Sequence, residues 1–385
     1  MPNRPEVIEI LDCIRKSGGA ISKKQIFGGM KISWGTLCST VKLMLDHHIL
    51  SASEPERLTR GRPQIPLNLI PTALYFCGID IGASTTKIVI CDLMFRVHWN
   101  DCIATESYKG KDSFTTWIVN IVHKALDNSG QLPIAAVGLS ISGTVDSQNG
   151  VIISGGNWGM PYGENLAVSE LEDLLGLKCY AVNTQIASVC AEYHFGKYRY
   201  TPDIVNIGLG VGIGSGVVSN SQLLYSRPQN LVGYIGHMLM PGNPYRCHQS
   251  SCNYKGCLEA YCGGENLKRI AMELHPNDQE LHGAEKLDRA ASEGNEKAIA
   301  ILDQAASYNA IGIATMIQSY SPDVVIFSGS QVQEDGFLYK STLRHLYDII
   351  PQERRNFKVA ITSLGKLQAA RGAARLAFEH FFRSC

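Results

Sequence analysis

Glycine at every second position constrains one stretch of this chain more than any other feature. In "VNIGLGVGIGSGVVSN", residues 205–220, the alternating glycines are Gly208, Gly210, Gly212, Gly214 and Gly216. Residues two apart in a strand lie on the same face, so this spacing predicts a strand pair with one face bare of side chains. A ligand or another backbone segment can then approach that face closely.

Two further segments of the chain combine an apolar strand with a glycine-containing turn, and we call each of the three such segments a corner. In "LYFCGIDIGASTTKIVICDL", residues 74–93, the turn places Gly82 and Thr85 where backbone N–H groups can face an anion, with Asp80 able to hold a metal-bound phosphate. "PDVVIFSGS", residues 322–330, is the third corner. Together the three corners predict an α/β fold in which two lobes face a nucleotide-sized cleft.

The length of the chain predicts more than one domain. A chain of 385 residues exceeds the size at which a single core usually keeps growing. No apolar run reaches the length that crosses a bilayer, and the N-terminus lacks the features of a secretory signal. We therefore expect a cytoplasmic protein without membrane contact, whose 12 cysteines are reduced rather than joined in a disulfide framework.

Charge is distributed unevenly along the chain. Residues 1–70 carry ten Lys plus Arg against six Asp plus Glu, a net of +4, whereas the remainder carries −4. This asymmetry favours an N-terminal domain that faces phosphates.

Apolar periodicity predicts three short helices in this basic region. The first covers 7–14 and ends at an "SGG" turn, and the second lies in "AISKKQIF", 20–27, with Ser22 as its N-cap. The third begins after Ser33, its N-cap, and its apolar face comprises Leu37, Val41, Met44 and Leu45. Residues 50–70 alternate into a β-hairpin with arginines near its tip.

This order of elements is typical of a winged helix-turn-helix that places its third helix in the major groove. The candidate base contacts are Trp34, Thr36, Ser39 and Thr40, and the candidate phosphate or groove contacts are Lys23, Lys24, Lys42, Arg60 and Arg62. Ser33 is also expected at the DNA-binding surface. The alternative is a small helical domain that docks onto another protein.

Seven motifs resemble those of the ROK family (repressors, open reading frames and kinases). They are "GRP" at 61–63, "GIDIGASTTK" at 78–87, "SGTVDSQNGVI" at 142–152, "GVGIGSG" at 210–216, "GYIGH" at 233–237, "KGCLE" at 255–259 and "GAARLA" at 372–377. The resemblance covers essentially the whole chain. It implies a two-lobed actin-like ATPase (ribonuclease H-like) sugar-kinase fold, and in this family an N-terminal winged helix-turn-helix marks the repressors.

The resemblance suggests three domains. Residues 1–70 are the winged helix-turn-helix, and residues 71–185 form a small α/β lobe together with a C-terminal helix at 370–385. Residues 186–369 form a large α/β lobe that carries a zinc loop and a dimerisation surface.

Four residues have the composition of a metal site. His237, Cys247, Cys252 and Cys257 offer one imidazole and three thiolates, which suffice for a closed tetrahedral zinc site of the structural kind. The family's zinc site resembles this one, but there a single residue separates the first two cysteines, whereas here "HQSS" separates them. His248 or Cys262 can substitute as a ligand. The alternative is ordinary reduced cysteines in a surface loop.

The stretch "AVNTQIASV", residues 181–189, lacks the catalytic group of the resembling kinases. There the corner reads Glu-Asn-Asp, and the Asp is the general base; here the last two positions hold Asn183 and Thr184. Threonine accepts no proton near neutral pH, and loss of a general base typically removes about two to four orders of magnitude in rate. Tyr234 replaces a sugar-binding glutamate of the family, and Val211 a phosphate-binding threonine found in many kinases. We expect no catalytic residue and no sugar kinase activity.

Several groups that contact sugar hydroxyls in the family are retained. The predicted sugar pocket comprises Asn157, Asn183, Tyr234, His237 and Glu259. The neutral Thr184 also removes a negative charge beside the position that kinases phosphorylate, so a sugar phosphate is no longer repelled there. The simpler alternatives are that Asn157 only makes a turn and that His237 serves only zinc.

These observations predict a sugar-responsive DNA-binding regulator, a repressor in the leading interpretation. Its kinase-like body senses a sugar or sugar phosphate, and as a homodimer or tetramer it places two recognition helices on a double-stranded DNA operator. One alternative is an ATP-dependent ROK sugar kinase that uses a non-standard base. Another is a constitutive DNA-binding dimer with a vestigial pocket.

Overall fold

We describe the fold from a computed structural model. It covers residues 4–55, 64–105, 111–130, 132–155, 164–224, 233–249, 252 and 254–383. Arg60, Arg62 and Asn157 lie outside the described residues. Within them, no helix is long and apolar enough to cross a membrane.

The N-terminal region, which we call the head, contains the three predicted helices and a small sheet. Its elements are α1 (Pro5–Lys16), β1 (Ala20–Ser22), α2 (Lys23–Gly28), α3 (Trp34–Asp46), β2 (Leu50–Ala52) and β3 (Pro66–Leu69). The strands are antiparallel in the order β1-β3-β2. The second helix begins at Lys23, directly after its predicted N-cap Ser22, and the preceding Ala20–Ser22 pairs with β3.

Both predicted helix caps are present in the head. Ser22 forms a capping box with Gln25, and the Ser33 hydroxyl accepts the Thr36 backbone N–H at 3.0 Å. These side chains satisfy N–H groups that have no partner inside the helix.

The rest of the chain, which we call the body, begins with a five-stranded sheet. The elements of this part are β4 (Tyr75–Ile81), β5 (Thr85–Asp92), β6 (Val97–Ala104), α4 (Lys111–Asn128), β7 (Ile134–Ile141), β8 (Thr144–Asp146), β9 (Val151–Ser154), β10 (Leu166–Ala167), α5 (Val168–Leu175) and β11 (Lys178–Asn183). The order of the first sheet is β11-β7-β4-β5-β6. Strand β4 pairs antiparallel with β5 and parallel with β7, and β8, β9 and β10 form a separate small sheet.

A second five-stranded sheet repeats this plan. The remaining elements are α6 (Thr184–Phe195), β12 (Ile204–Leu209), β13 (Ile213–Ser219), β14 (Gln222–Leu224), α7 (Leu258–Cys262), α8 (Gly264–Leu274), α9 (Ala284–Ser292), α10 (Glu296–Tyr320), β15 (Val324–Ser328), α11 (Phe337–Ile349), β16 (Lys358–Ile361) and α12 (Gln368–Arg383). The order is β14-β13-β12-β15-β16, with a parallel β12–β15 pair. The predicted two-lobed α/β plan is confirmed.

Glycines bring helices α6 and α12 into backbone contact with the sheets and with each other. A Cβ atom on Gly78 of β4 would lie 2.0 Å from the Ala370 carbonyl oxygen of α12, and one on Gly216 of β13 would lie 2.2 Å from the Gln185 carbonyl oxygen of α6. A Cβ atom on Gly372 would lie 1.8 Å from the Ala187 carbonyl oxygen. The two helices therefore join the two sheets.

The predicted C-terminal helix at 370–385 corresponds to α12, which begins at Gln368 and is described to Arg383. The proposed boundary at 185/186 falls in the first turn of α6. The division of the chain into three domains stays a prediction.

We expect Gly372→Ala to lower the free energy of unfolding by about 2–3 kcal/mol, because overpacking at this backbone contact forces α6 and α12 apart. Urea denaturation of the purified protein measures the change. Gly28→Ala is the matched control, since a Cβ atom there meets nothing within 4 Å, and it should change stability by less than about 0.5 kcal/mol. Equal effects of the two substitutions would contradict the packing argument.

Candidate functional site

A cleft of about 750 Å³ is lined by residues of both five-stranded sheets. The predicted site residues found there are Asp80, Gly82, Thr85, Asn183, Thr184, Gly210, Gly212, Gly214, Tyr234, His237 and Glu259. The structure thus brings together residues that are up to 179 positions apart in the chain, from Asp80 to Glu259.

The first turn of α6 forms the floor of the cleft. The Asn183 Oδ1 atom accepts the Gln185 N–H at 2.8 Å and caps the helix, while its Nδ2 atom donates to the Gly143 carbonyl at 2.8 Å. The Asn183 amide is therefore held rigidly, with both of its polar atoms bonded to the protein.

Thr184 has a hydroxyl, not a carboxylate, as its neighbour. Its Oγ1 atom lies 3.1 Å from the Ser140 Oγ atom, which lies 2.9 Å from the Asp80 Oδ1 atom. Ser140 is fully buried on β7, and nothing in its sequence context indicated that it would join Asp80 to Thr184.

The Asp80 carboxylate forms an ion pair with Lys87. It faces Lys87 across the β4–β5 pair, and the Lys87 Nζ atom lies 3.3 Å from Asp80 Oδ2. Both residues line the cleft. The sequence analysis did not select Lys87. Asp80 and Lys87 are equally distant from the tight turn between β4 and β5, and this spacing indicates a cross-strand pair.

Glu259 holds the glycine-rich turn between β12 and β13. Its carboxylate is 2% exposed and accepts the Ile213 N–H at 2.7 Å and the Gln249 amide at 2.6 Å. A Cβ atom on Gly212 would lie 2.7 Å from the Glu259 Oε2 atom, so the carboxylate uses the space that this glycine leaves. Gln249 comes from the "HQSS" segment and also lines the cleft, which the sequence analysis did not foresee.

Tyr234 links the two sides of the cleft. Its hydroxyl donates to the carbonyl of Gly143, which follows β7, at 3.2 Å. Burial raises the pKa of Tyr234, so the phenol remains a neutral donor. The preceding Gly233, with φ +86°, packs against the Ser215 carbonyl of β13, and this contact anchors Tyr234 to the second sheet.

A buried polar network lies where α12 begins. The Gln368 Nε2 atom donates to Glu192 of α6 at 2.9 Å and to Asn206 of β12 at 3.1 Å. Thr362 also donates to Glu192, and burial raises the pKa of this carboxyl. Since Thr362 and Gln368 line the cleft, this network ties the start of α12 to the cleft wall.

The four predicted metal ligands converge. One donor atom from each of His237, Cys247, Cys252 and Cys257 lies within 4.8 Å of the others. The His237 Nδ1 atom is buried without a hydrogen-bond partner in the described part of the chain, so this ring nitrogen is not occupied by another protein group. The cluster can therefore hold a metal ion.

Of the two substitute ligands, one is excluded from this cluster. The Cys262 Sγ atom donates to the Ala305 carbonyl at 3.3 Å and is not part of the group. His248 forms a second possible group with Cys247 and Glu259, so the sequence alternative that includes His248 stays open.

The head exposes most of the predicted DNA contacts. Lys24, Ser33, Trp34, Ser39 and Lys42 are exposed, with Trp34 at 47%, whereas Lys23 and Thr36 are half-buried.

The structure corrects the prediction that Thr40 contacts a DNA base. It is fully buried and bonds to Arg4 at 3.3 Å and Glu6 at 3.1 Å, so it cannot contact a base in this arrangement. The buried stripe of α3 is Leu37, Thr40, Val41 and Met44, an i, i+3, i+4, i+7 pattern. The sequence analysis had assigned Leu45 to this stripe in place of Thr40, although Leu45 is only partly buried.

Comparison with known proteins gives a consistent picture. Residues 76–380 match the ROK family. The chain is 21% identical to the xylose repressor of Bacillus spizizenii over 94% of this chain and 92% of that protein. It is 26% identical to the glucokinase of Thermotoga maritima over 79% of this chain and 97% of that protein.

A solved structure resembles the whole chain. The crystal structure of a ROK family transcriptional regulator, described as a homolog of the E. coli MLC protein, superposes with a TM-score of 0.80 at 19% identity. The match covers 97% of each chain, so the fold of head and body together is that of a known structure.

We expect Tyr234→Phe to lower the free energy of unfolding by about 1 kcal/mol, because it removes one largely buried hydrogen bond, while the Gly143 carbonyl keeps its bond from Asn183. Chemical denaturation measures the loss. Tyr254→Phe is the control, since Tyr254 is 57% exposed. No difference between the two variants would mean that the hydroxyl does not bridge the cleft in solution.

Proposed function

Because the chain belongs to the ROK family, we propose that it is a sugar-responsive transcriptional regulator, a repressor of carbohydrate-utilisation genes. In this proposal the head binds operator DNA and the cleft binds a sugar or sugar phosphate without phosphorylating it. The regulators among its relatives support this, since a xylose repressor and a ROK transcriptional regulator match 94% and 97% of the chain, whereas a glucokinase matches 79%.

The observation that carries the proposal is the environment of Thr184. A sugar kinase needs a group that accepts the proton of the attacking hydroxyl within hydrogen-bond distance of it. Here the corner offers the Thr184 hydroxyl, bonded to Ser140 at 3.1 Å. The Asp80 carboxylate lies beyond Ser140 and is paired with Lys87, so both of its oxygens already have partners within the protein.

The head supports the DNA-binding part of the proposal. Three helices with a three-stranded sheet have the composition of a winged helix-turn-helix, and the exposed side of α3 carries Trp34, Ser39 and Lys42. The net charge of +4 over residues 1–70 favours binding to a phosphate backbone. Arg60 and Arg62 remain predicted contacts of the wing.

The charges in the cleft favour an anionic effector. Thr184 is neutral where the resembling kinases carry an aspartate, and the ammonium groups of Lys87 and Lys366 line the cleft. A phosphate held beside Thr184 would therefore lack the repulsion of the aspartate that the resembling kinases carry at this position, although the Asp80 and Glu259 carboxylates also line the cleft. Glu259, His237 and Tyr234 are the proposed contacts to sugar hydroxyls, together with Asn183 and Asn157.

We assign zinc to the cluster of one histidine and three cysteines, because this donor set suits tetrahedral Zn²⁺ better than other common metals. Such an ion would act structurally, closing the loop that carries Gln249. His237 and Gln249 both line the cleft, so the loop geometry also shapes the sugar pocket.

A homodimer or tetramer completes the proposal. Two-fold pairing of bodies would place two heads one DNA turn or a multiple apart, on an operator of matching symmetry. A sugar that binds one arrangement of the lobes more tightly would shift the population between DNA-competent and DNA-incompetent forms.

One observation favours a second candidate function, a sugar kinase that uses a different base. Asp80 is joined to Thr184 through Ser140, and a proton could pass along two hydroxyls to that carboxylate. Sustained ADP release with any sugar, abolished by Asp80→Asn, would support this candidate.

The proposed function predicts sequence-specific DNA binding and no turnover. Full-length protein should enrich a two-half-site duplex from a random DNA library, and at least one sugar of a panel should release it. The panel is D-xylose, D-glucose, N-acetylglucosamine and the 6-phosphates of the two hexoses, with ADP release followed in parallel. If the protein enriches no duplex, the proposal that it is a DNA-binding regulator is wrong. If a free hexose binds and its 6-phosphate does not, the hypothesis of an anionic effector is wrong, but the proposal of a DNA-binding regulator is not affected.

The zinc assignment predicts one Zn²⁺ per chain by elemental analysis of the purified protein. Cys257→Ser should remove the ion, because three ligands remain, and should lower the midpoint of thermal unfolding. Cys102→Ser is the control, since Cys102 is exposed and outside the cluster. Retention of a full equivalent of zinc by Cys257→Ser would contradict the ligand set.

A further inference from the structure

The head is joined to the body by a buried group of four charged side chains. Asp12 of α1 accepts from Arg15 at 2.5 Å and from Arg375 of α12 at 2.7 Å. Arg375 also lies 3.0 Å from Glu379 one turn further along α12. We call Asp12, Arg15, Arg375 and Glu379 the ionic cluster; it contains two carboxylates and two guanidinium groups.

The two guanidinium groups of the ionic cluster are largely buried, whereas its two carboxylates are each about a fifth exposed. The Arg375 side chain is 2% exposed and that of Arg15 is 8% exposed. Burial acts to raise the pKa of Asp12, but the guanidinium groups of Arg375 and Arg15 outweigh it and hold that pKa well below its ordinary value. Asp12 is therefore ionised, and the directional contacts between these groups define how α1 lies on α12.

Further contacts surround the ionic cluster. The Arg15 guanidinium donates to the Leu93 carbonyl of the body at 2.8 Å and lies 5.0 Å from the Phe95 ring and 4.7 Å from the Phe378 ring. The Arg4 N–H donates to the Phe382 carbonyl at 3.2 Å. The apolar core of the head is continuous with that of the body at this interface.

The body side of this interface is connected to the cleft by two helices. Helix α12 runs from Gln368, in the cleft wall, past Arg375 to Phe382. Helix α6 runs from Thr184, also in the cleft, to His194, which lies 3.8 Å from Glu379. The two helices touch at Gly372 and Ala187, so packed elements connect the cleft with the ionic cluster.

We propose that Asp12 and Arg375 are positioning residues that hold the DNA-reading head in one orientation on the body, at the far ends of helices that begin in the cleft. This inference rests on the proposed function and specifies how that function is regulated. Apolar contacts alone are non-directional, whereas the hydrogen-bonded ion pair permits one geometry. Two heads held in this way on paired bodies have a fixed separation, and therefore measure the spacing between half-sites.

The test compares binding to three duplexes made from the enriched operator sequence. One has both half-sites at the selected spacing, one has 5 bp inserted between them, which is about half a DNA turn, and one has a single half-site. Wild-type protein should lose about 100-fold in affinity on the insertion, because the second head no longer reaches its site. Asp12→Asn should lose less than about tenfold, with unchanged affinity for the single half-site.

Two further variants keep the test decisive. Glu9→Gln is the matched control, since it removes one carboxylate from the exposed side of the same helix, and it should behave like wild type. The double variant Asp12→Asn/Arg375→Met removes one charge of each sign, so it tests the same contact if Asp12→Asn does not fold.

Each outcome decides one point. The same spacing penalty in Asp12→Asn or the double variant as in wild type overturns the inference. So does an equal loss on all three duplexes, which would mean that the pair only stabilises the head. If wild-type protein enriches no duplex, the proposed function fails first and this inference with it.

Amide hydrogen exchange tests the connection to the cleft. The sugar that releases DNA should change the exchange rate of α1 by more than about threefold in wild type and leave it unchanged in Asp12→Asn. Unchanged exchange in wild-type α1 would overturn the route through α6 and α12.

Discussion

The placement of the two sheets relative to each other depends on a backbone contact between helices α6 and α12. Glycine allows this contact because it has no side chain. Gly372 of α12 meets the Ala187 carbonyl of α6, and Gly78 and Gly216 seat the same helices on the two sheets. A Cβ atom at any of these glycines would lie about 2 Å from a carbonyl oxygen, well inside van der Waals contact, so interiors packed this densely tolerate no substitute there. The position of one sheet relative to the other, and thus the cleft, follows from this contact.

The same contact also connects the cleft with the head. Thr184 and Gln368 line the cleft as the first residues of α6 and α12, and Arg375 lies two turns further along α12, where it reaches Asp12 of the head. Regulation in such an arrangement needs no flexible relay, because packed helices move as units. In the function proposed above, the cleft with threonine at the base position binds a sugar without phosphorylating it and reports whether it is occupied.

The features of the fold and the site that could be predicted are those set by the spacing and chemistry of residues close together in the chain. Helix caps at Ser22 and Ser33 and the convergence of one histidine with three cysteines follow from spacing along the chain. Thr40 was wrongly placed because a residue at the edge of an apolar stripe is buried or exposed according to its neighbours, here Arg4 and Glu6. Gln249 on Glu259 could not be foreseen, since nothing local says where a lengthened loop will fold back.

By itself the sequence determined the elements and the glycine-lined strand pairs, because each is a property of residue type and spacing, and the family resemblance placed Thr184 at the position of the proton acceptor. Only the tertiary structure decided which groups meet across long separations. The Asp12–Arg375 pair spans 363 positions, and the Asp80–Ser140–Thr184 chain joins three segments. Such contacts depend on how two sheets and two helices pack together, and packing is a property of the whole fold.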